Sequence, residues 1–112
     1  MNYIPDRGDI AWFDFDPRAG HEQAGRRPGL ILTPKLYNKK SGLALVCPIT
    51  SKVKHYPFEV PVSAGAVSGV ILADHVASLD WSARGAKYVA KVSKEAFIEA
   101  LAKISALLGI GE

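Results

Sequence analysis

The sequence predicts a mainly β domain of the α+β class, an antiparallel barrel or sandwich that ends in one α-helix. Two observations support this prediction. Short apolar or alternating segments recur between turn residues from Asp9 to Val92, and the segment from Ser93 has helical periodicity instead. The chain has 112 residues, 48% of them hydrophobic, which fits a single domain covering residues 1–112.

Seven β-strands are predicted, each bounded by residues that favour turns. In chain order they are Asp9–Phe15, Gly29–Thr33, Leu43–Ile49, Phe58–Val62, Val70–Ala73, Val76–Leu79 and Ala86–Val92. The turn residues that bound them are, in the same order, Arg7-Gly8 with Asp16-Pro17, Pro34, Ser41-Gly42, Pro57, Asp74-His75 and Arg84-Gly85. Strands this short and closely spaced favour an antiparallel arrangement.

The C-terminal helix is predicted from its ends and its apolar stripe. Ser93 is a suitable N-cap, Glu95 favours the positive end of the helix dipole, and Gly109 is a suitable terminator. The spacing i, i+4, i+7 and i+11 places four large apolar side chains on one face, namely Phe97, Leu101, Ile104 and Leu108. We therefore expect this helix to pack on the sheet.

Two segments are polar and lack an apolar pattern. Residues 18–28 contain two glycines and no aliphatic side chain larger than alanine, while Ser51–Pro57 contains two lysines, His55 and Tyr56. Loops carried on a strand scaffold are where binding and catalysis are concentrated.

The formal net charge of the whole chain is +3, and the positive charge is concentrated in its first half. Between residues 35 and 54 five lysines lie without an intervening acid: Lys35, Lys39, Lys40, Lys52 and Lys54. A solvated loop face and a polyanion-binding surface both account for such a stretch, so charge alone leaves the choice open.

Several classes of protein are not indicated by the sequence. The single Cys47 excludes an internal disulfide, and its apolar surroundings predict a buried, inert thiol. His21, His55 and His75 have no metal-ligand spacing, and no glycine-rich phosphate loop is present, so neither a metal nor a cofactor is predicted. Since no apolar run approaches the ~20 residues of a membrane span, we expect a soluble, cytoplasmic protein without a membrane partner.

The segment from His21 to Pro28 has the groups that RNA cleavage requires. It places an imidazole, a carboxylate, an amide and two guanidiniums within eight residues. Cleavage by the 2′-hydroxyl needs a proton acceptor, a proton donor and positive charge beside the phosphorane, and the planar fork of arginine suits the last task. A surface loop stabilised by ion pairs explains the same residues, and chemistry alone does not exclude it.

An ordered series of motifs resembles the MazF/PemK/Kid toxins of bacterial toxin–antitoxin pairs. The series runs Pro5-Asp6-Arg7-Gly8-Asp9-Ile10, Trp12, Asp14, Asp16-Pro17, Gly20, Glu22-Gln23, Arg27-Pro28, Leu32-Thr33-Pro34, Tyr37-Asn38, Cys47-Pro48-Ile49-Thr50, Tyr56-Pro57-Phe58-Glu59-Val60 and Leu72-Ala73-Asp74, ending near Ala83-Arg84-Gly85. Each motif alone is weak, but their order over nearly the whole chain is specific.

This resemblance implies an SH3-like (CcdB/PemK-type) antiparallel β-barrel with a C-terminal helix, working as a homodimer. The implied activity is that of a metal-independent, sequence-selective endoribonuclease, an mRNA interferase, which cleaves single-stranded RNA to a 2′,3′-cyclic phosphate and a 5′-hydroxyl. Arg27 matches the arginine before proline that serves as acid/base and phosphate ligand. Thr50 matches the threonine whose hydroxyl contacts the scissile phosphate.

Further catalytic positions follow from the same resemblance. His21 matches a histidine of the Kid branch that is proposed to steady the transition state, and Glu22 matches the acid of the family's loop. Asp74 matches the proposed base of the Kid branch, but that branch has an arginine where this chain has Leu72. A Kid-like Asp–Arg pair is therefore not expected, and a structural role for Asp74 stays open.

Contacts with RNA and with an antitoxin are expected on the basic face. The residues expected to bind RNA are Gln23, Arg26, Lys35, Lys39, Lys52, Lys54, Tyr56 and Asp74, with Tyr56 suited to stacking on an unpaired base. Trp12 and Trp81 are expected in the core or in dimer contacts. The resemblance also implies a cognate MazE-like antitoxin with an acidic C-terminal segment.

Two other classes of function are compatible with such a fold. A CcdB-type toxin inhibits DNA gyrase through its C-terminal helix and needs neither Arg27 nor Thr50. A non-catalytic SH3-like RNA-binding module would use the same basic face. Incubation with single-stranded RNA in EDTA distinguishes all three, since the first cleaves the RNA, the module binds it without cleavage and the gyrase inhibitor does neither.

Overall fold

A computed structural model describes residues 3–15 and 26–110 of the chain. Within these residues it contains seven strands and two helices. They are β1 (Asp9–Asp14), β2 (Arg26–Ile31), α1 (Lys35–Ser41), β3 (Leu43–Thr50), β4 (Glu59–Ala64), β5 (Val67–Leu72), β6 (Ala77–Asp80), β7 (Lys87–Lys91) and α2 (Lys94–Leu108). The predicted fold class is confirmed, since a curled antiparallel sheet is followed by a C-terminal helix.

Strand β3 is the centre of the sheet and divides it into two halves. The strand order is β4-β5-β3-β2-β1-β7, and β6 also pairs with β3. The first half of β3 pairs with β6 from Leu43 to Val46, whereas its last two residues, Ile49 and Thr50, pair with β5. Because β3 changes partner along its length, the sheet curls, and the two ends of β3 lie in different surroundings.

Apolar side chains pack on both faces of the curled sheet. One cluster joins sheet residues such as Ile10 and Ile71 to α2, which contributes Ala96 and Ala100. The other cluster, with Phe13 and Val46, packs on the opposite face. Burial of this kind is the main source of stability in a domain of this size.

Cys47 lies in the first of these clusters and is fully buried, as predicted. Burial disfavours the thiolate and raises the pKa of Cys47 to about 12. The thiol is therefore a packing group with little nucleophilic character.

Helix α2 has the ends that the sequence predicts. The hydroxyl of Ser93 accepts a hydrogen bond from the backbone N–H of Ala96. Gly109, with φ +77°, ends the helix in the left-handed conformation and donates its N–H to Ala106 and Ser105 carbonyls. Within the described residues, neither helix is long and apolar enough to cross a membrane.

Helix α1 was not predicted, because the segment Lys35–Ser41 has no apolar stripe and follows Pro34. Long-range contacts of the fully buried Asn38 hold it instead. The Asn38 amide donates to the carbonyls of Pro5 and Thr33 at 2.7 and 2.9 Å, and the indole N–H of Trp81 donates to the Asn38 carbonyl at 2.9 Å. A helix of seven residues is marginal by itself, so these contacts decide its conformation.

The strand boundaries differ from the prediction, most of all in β2, β4 and β5. Strand β2 begins at Arg26, three residues before the predicted Gly29, because Arg26 pairs with Asp14 across β1. Strands β4 and β5 are longer than predicted and form a hairpin through Gly65 and Ala66. Gly65 has φ +58°, which permits this tight turn.

Candidate functional site

A groove of about 720 Å³ opens where β2 begins and β3 ends. Its lining includes Arg27, Thr50, Lys52, Lys54 and Tyr56. The resemblance predicts Arg27 and Thr50, while the charge pattern and the polar loop predict Lys52, Lys54 and Tyr56. Arg27 comes from β2, Thr50 from β3 and the other three from the loop that follows β3. The tertiary structure therefore brings them together at one edge of the sheet.

Arg27 and Thr50 both line the groove, Arg27 from the beginning of β2 and Thr50 from the end of β3. The pairing of the two strands runs from Ile31 and Val46 to Gly29 and Pro48, two residues short of Arg27 and Thr50. Because both side chains line the same groove, a phosphate bound there can contact them together.

The two neighbouring arginines have different surroundings. The guanidinium of Arg26 donates to the Asp14 carboxylate at 3.2 Å and to the Gly85 carbonyl at 3.0 Å. Arg26 thereby ties the start of β2 to the end of β1, although it also lines the groove. Arg27 is exposed, and its side chain takes part in no hydrogen bond with another described residue. Its planar fork of donors suits an anion in the groove.

The hydroxyl of Thr50 is oriented by its own loop. Its oxygen accepts the backbone N–H of Lys52 at 3.1 Å, which leaves the hydroxyl proton for another acceptor. Strand β5 approaches the Thr50 backbone closely at Gly69, where an added Cβ would lie 2.2 Å from the Thr50 carbonyl oxygen. Only glycine fits there without moving Thr50, and this close approach was not apparent from the sequence.

Tyr56 is held by Asp74, one of the residues predicted to bind RNA. The Tyr56 hydroxyl donates to the Asp74 carboxylate at 2.8 Å, and Nε2 of His75 lies 3.7 Å from the same oxygen. The hydrogen bond to Asp74 raises the pKa of Tyr56 above its ordinary value. Asp74 thus positions the ring of Tyr56, which agrees with the structural role that the sequence left open.

Other predicted residues lie elsewhere. Lys35 and Lys39 are on α1, beside Leu43 at the other end of β3 from Thr50. Seven residues of strand, at roughly 3.3 Å each, separate these ends by about 23 Å. The structure therefore does not bring Lys35 and Lys39 into the groove. His21, Glu22 and Gln23 lie outside the described residues.

The two tryptophans differ in their surroundings. Trp81 packs against the apolar cluster that contains Phe13 and Val46, as predicted. Trp12 is half-buried and lines the groove, because the alternation of β1 turns it away from the buried Ala11 and Phe13. Trp12 is therefore not part of the core, and the alternative that it makes dimer contacts stays a prediction.

Sequence reasoning also missed Glu59, a buried carboxylate at the start of β4 that lines the groove. An acid beside an alternating apolar strand is a weak signal of such a role, since most acids at that position face solvent. In the described parts of the chain, no three His, Cys, Asp or Glu side chains lie together in a way that could hold a metal ion.

Comparison with known proteins relates this geometry to a family. The family model described as PemK-like, MazF-like toxin of type II toxin-antitoxin system matches residues 6–108. The endoribonuclease toxin MazF of Escherichia coli (strain K12) is 49% identical over 107 residues, which are 96% of this chain and 96% of that protein.

Solved structures show the same relationship. A crystal structure of MazF from Deinococcus radiodurans superposes with a TM-score of 0.88 at 49% identity, covering 97% of this chain and 100% of that one. A crystal structure of MazE-MazF from the same organism gives a TM-score of 0.87 at 43% identity, covering 98% and 100%. The similarity thus extends over the sheet, the groove and α2.

Proposed function

This chain belongs to the PemK-like, MazF-like toxin family of type II toxin–antitoxin systems, and from that membership we propose that it is a toxin that cleaves single-stranded RNA. The relative from Escherichia coli carries the name endoribonuclease toxin. The observation that carries the proposal for this chain is that Arg27 and Thr50 line one groove together with Lys52 and Lys54.

The proposed reaction is attack of the ribose 2′-oxygen on the adjacent phosphorus. The new O2′–P bond forms as the P–O5′ bond breaks, which leaves a 2′,3′-cyclic phosphate and a 5′-hydroxyl. One proton leaves the 2′-hydroxyl and another reaches the departing 5′-oxygen, so no water and no metal ion is consumed. A phosphorane intermediate carries extra negative charge, and groups that contact it lower the barrier.

Arg27 and Thr50 suit the phosphate in this reaction. The Arg27 guanidinium donates two parallel hydrogen bonds to non-bridging oxygens, and the Thr50 hydroxyl donates a third. The resemblance assigns Arg27 a part in proton transfer as well, and it adds His21 and Glu22 as catalytic groups and Gln23 as an RNA contact. Lys52, Lys54 and Tyr56 bind neighbouring nucleotides through charge and stacking.

The test is cleavage of a long single-stranded RNA by the purified protein in excess EDTA. We expect cyclic phosphate ends, and no cut where a 2′-deoxynucleotide replaces the nucleotide 5′ to the scissile phosphate. Cleavage of an all-DNA strand at a similar rate would contradict attack by the 2′-oxygen. A CcdB-type inhibitor or a non-catalytic RNA-binding module would leave the RNA intact.

We also propose that the protein acts in the cytoplasm as a homodimer under the control of an acidic, MazE-like antitoxin. Two observations support control by an antitoxin: the similar chain from Deinococcus radiodurans is seen as MazE-MazF, and the groove is basic. An acidic segment would be attracted to the groove as RNA is. Labelled RNA should therefore be displaced by an acidic antitoxin peptide, and simultaneous binding without mutual weakening would contradict a shared groove.

A further inference from the structure

We infer that Glu59 is a positioning residue for RNA binding, because its carboxylate holds the β3–β4 loop (residues 51–58) in the shape that forms one wall of the groove. The inference rests on the proposed function, since it concerns the RNA that this wall would contact. It is carried by three hydrogen bonds and one backbone angle.

The Glu59 carboxylate is buried and accepts hydrogen bonds from two consecutive backbone N–H groups. Oε2 accepts the N–H of Lys54 at 2.9 Å, and Oε1 accepts the N–H of His55 at 2.8 Å and, more weakly, that of Lys54 at 3.3 Å. Side chain and loop are four to five residues apart, so the carboxylate closes the loop back on the start of β4.

His55 has φ +62° and is the one non-glycine residue with positive φ among the described residues. A left-handed residue turns its N–H toward the same side as the N–H before it, and this pair of donors forms a concavity that binds anions. Glu59 supplies that anion from within the chain. The carboxylate therefore stabilises a backbone conformation that a histidine adopts only at a cost.

This conformation decides where the neighbouring side chains lie. Lys54 and Tyr56 flank His55, and both line the groove with Lys52. Further along the loop, Asp74 holds the Tyr56 hydroxyl and Lys103 of α2 donates to the Pro57 carbonyl. Glu59 acts between these anchors and Thr50, where the loop carries its two lysines.

An amide cannot replace the carboxylate in this position. Ionised Glu59 offers acceptors only, whereas glutamine would turn an NH2 group toward one of the two N–H donors. In Glu59→Gln, therefore, one donor loses its partner and His55 loses the group that stabilises its left-handed conformation. Adding His55→Gly removes the cost of the left-handed conformation at residue 55, since glycine adopts positive φ freely.

The experiment compares the full-length wild type with E59Q, H55G, the E59Q/H55G double variant and E95Q. E95Q makes the same chemical change at the exposed first turn of α2. Hydrogen exchange at the amides of residues 52–57 measures the order of the loop. Steady-state cleavage of a long single-stranded RNA in EDTA gives KM and kcat separately.

In E59Q we expect loop exchange to become about tenfold faster and KM to rise about tenfold, the usual scale for a lost hydrogen bond to a charged group, with kcat changed by less than about twofold. H55G and E95Q should behave like the wild type, and E59Q/H55G should recover part of the KM. If Glu59 merely stabilised the fold, the folded fraction of E59Q would keep the KM of the wild type.

Unchanged loop exchange in E59Q would overturn the inference. So would faster exchange with an unchanged KM, or a loss confined to kcat. If E59Q does not fold, E59D replaces it in the comparison. E59D keeps the carboxylate on a side chain one methylene shorter, and it should show smaller increases of loop exchange and KM. A wild type without cleavage would overturn the proposed function, while the exchange comparison would still decide whether Glu59 holds the loop.

Discussion

The two ends of β3 are both basic, and the groove described above lies at the Thr50 end. At the Thr50 end, Lys52 and Lys54 lie beside Arg27 in a concave surface of about 720 Å³. At the Leu43 end, Lys35, Lys39 and Lys40 lie exposed on the short helix α1. All of these lysines come from the same acid-free stretch of sequence.

A high density of lysines is therefore not enough to make a catalytic surface, which also needs groups that can contact the reacting phosphate. The lysines at both ends are exposed, so solvent screens their charges, and what differs is the concave surface that Lys52 and Lys54 share with Arg27. The groove is also lined by the guanidinium of Arg27 and the hydroxyl of Thr50, whereas at the α1 end the amide of Asn38 is occupied in holding the helix. The following predictions test this comparison.

The largest effect is expected from Arg27. Arg27→Ala should lower kcat for RNA cleavage at least ~10²-fold, because the phosphorane loses its main positive charge. Thr50→Ala, which removes one hydroxyl contact, should lower kcat about tenfold. Both variants should keep the wild-type unfolding temperature, and cleavage at the wild-type rate by a folded R27A would contradict the assignment.

The next effect compares two glycines, one at each end of β3. Gly69→Ala places a Cβ 2.2 Å from the Thr50 carbonyl, so it should cost about 1–3 kcal/mol of stability and lower kcat about tenfold by moving the Thr50 hydroxyl. Gly42→Ala meets no atom within 4 Å but has φ +76°, and it should cost about 1 kcal/mol without changing kcat. Equal losses of kcat in the two variants would mean that Gly69 acts only through stability.

A smaller effect is expected from the lysines themselves. The double variant K52A/K54A should weaken RNA binding and reduce the slope of log affinity against log salt by about 1.4, since each phosphate contact with a single strand contributes about 0.7. K39A/K40A removes the same charge from α1 and should change the slope much less. Equal changes in slope would show that RNA extends over both ends of β3, as the sequence first suggested for Lys39.

The smallest effect concerns the pH dependence of the α1 end. A hydrogen bond from the backbone N–H of Lys35 holds the pKa of Asp6 below its ordinary value of 3.8. The ionised carboxylate therefore stabilises the folded state above about pH 4, and this contribution disappears as the pH falls through the lowered pKa. Asp6→Asn should flatten that part of an acid unfolding curve while leaving cleavage at neutral pH unchanged. A curve identical to the wild type would exclude this contribution.

Prediction from sequence succeeded where local signals decide the structure. Helix α2 begins at its Ser93 cap and ends before Gly109, because the cap, the apolar stripe and the terminator lie within one continuous segment. Prediction failed for α1 and for the first residues of β2. The buried amide of Asn38 and the ion pair of Arg26 with Asp14 decide these elements, and their partners lie far away in the sequence.

The mainly β fold with its C-terminal helix and the family could be predicted from the sequence, and so could the candidates Arg27 and Thr50, since periodicity, turn residues and ordered motifs are properties of the linear chain. Only the tertiary structure decided which lysines share a groove with Arg27, how closely Gly69 approaches Thr50, and that Glu59 holds the loop beside them. Those relations depend on strand register and on where β3 changes its partner. Register is a property of two strands together, so neither strand alone specifies it.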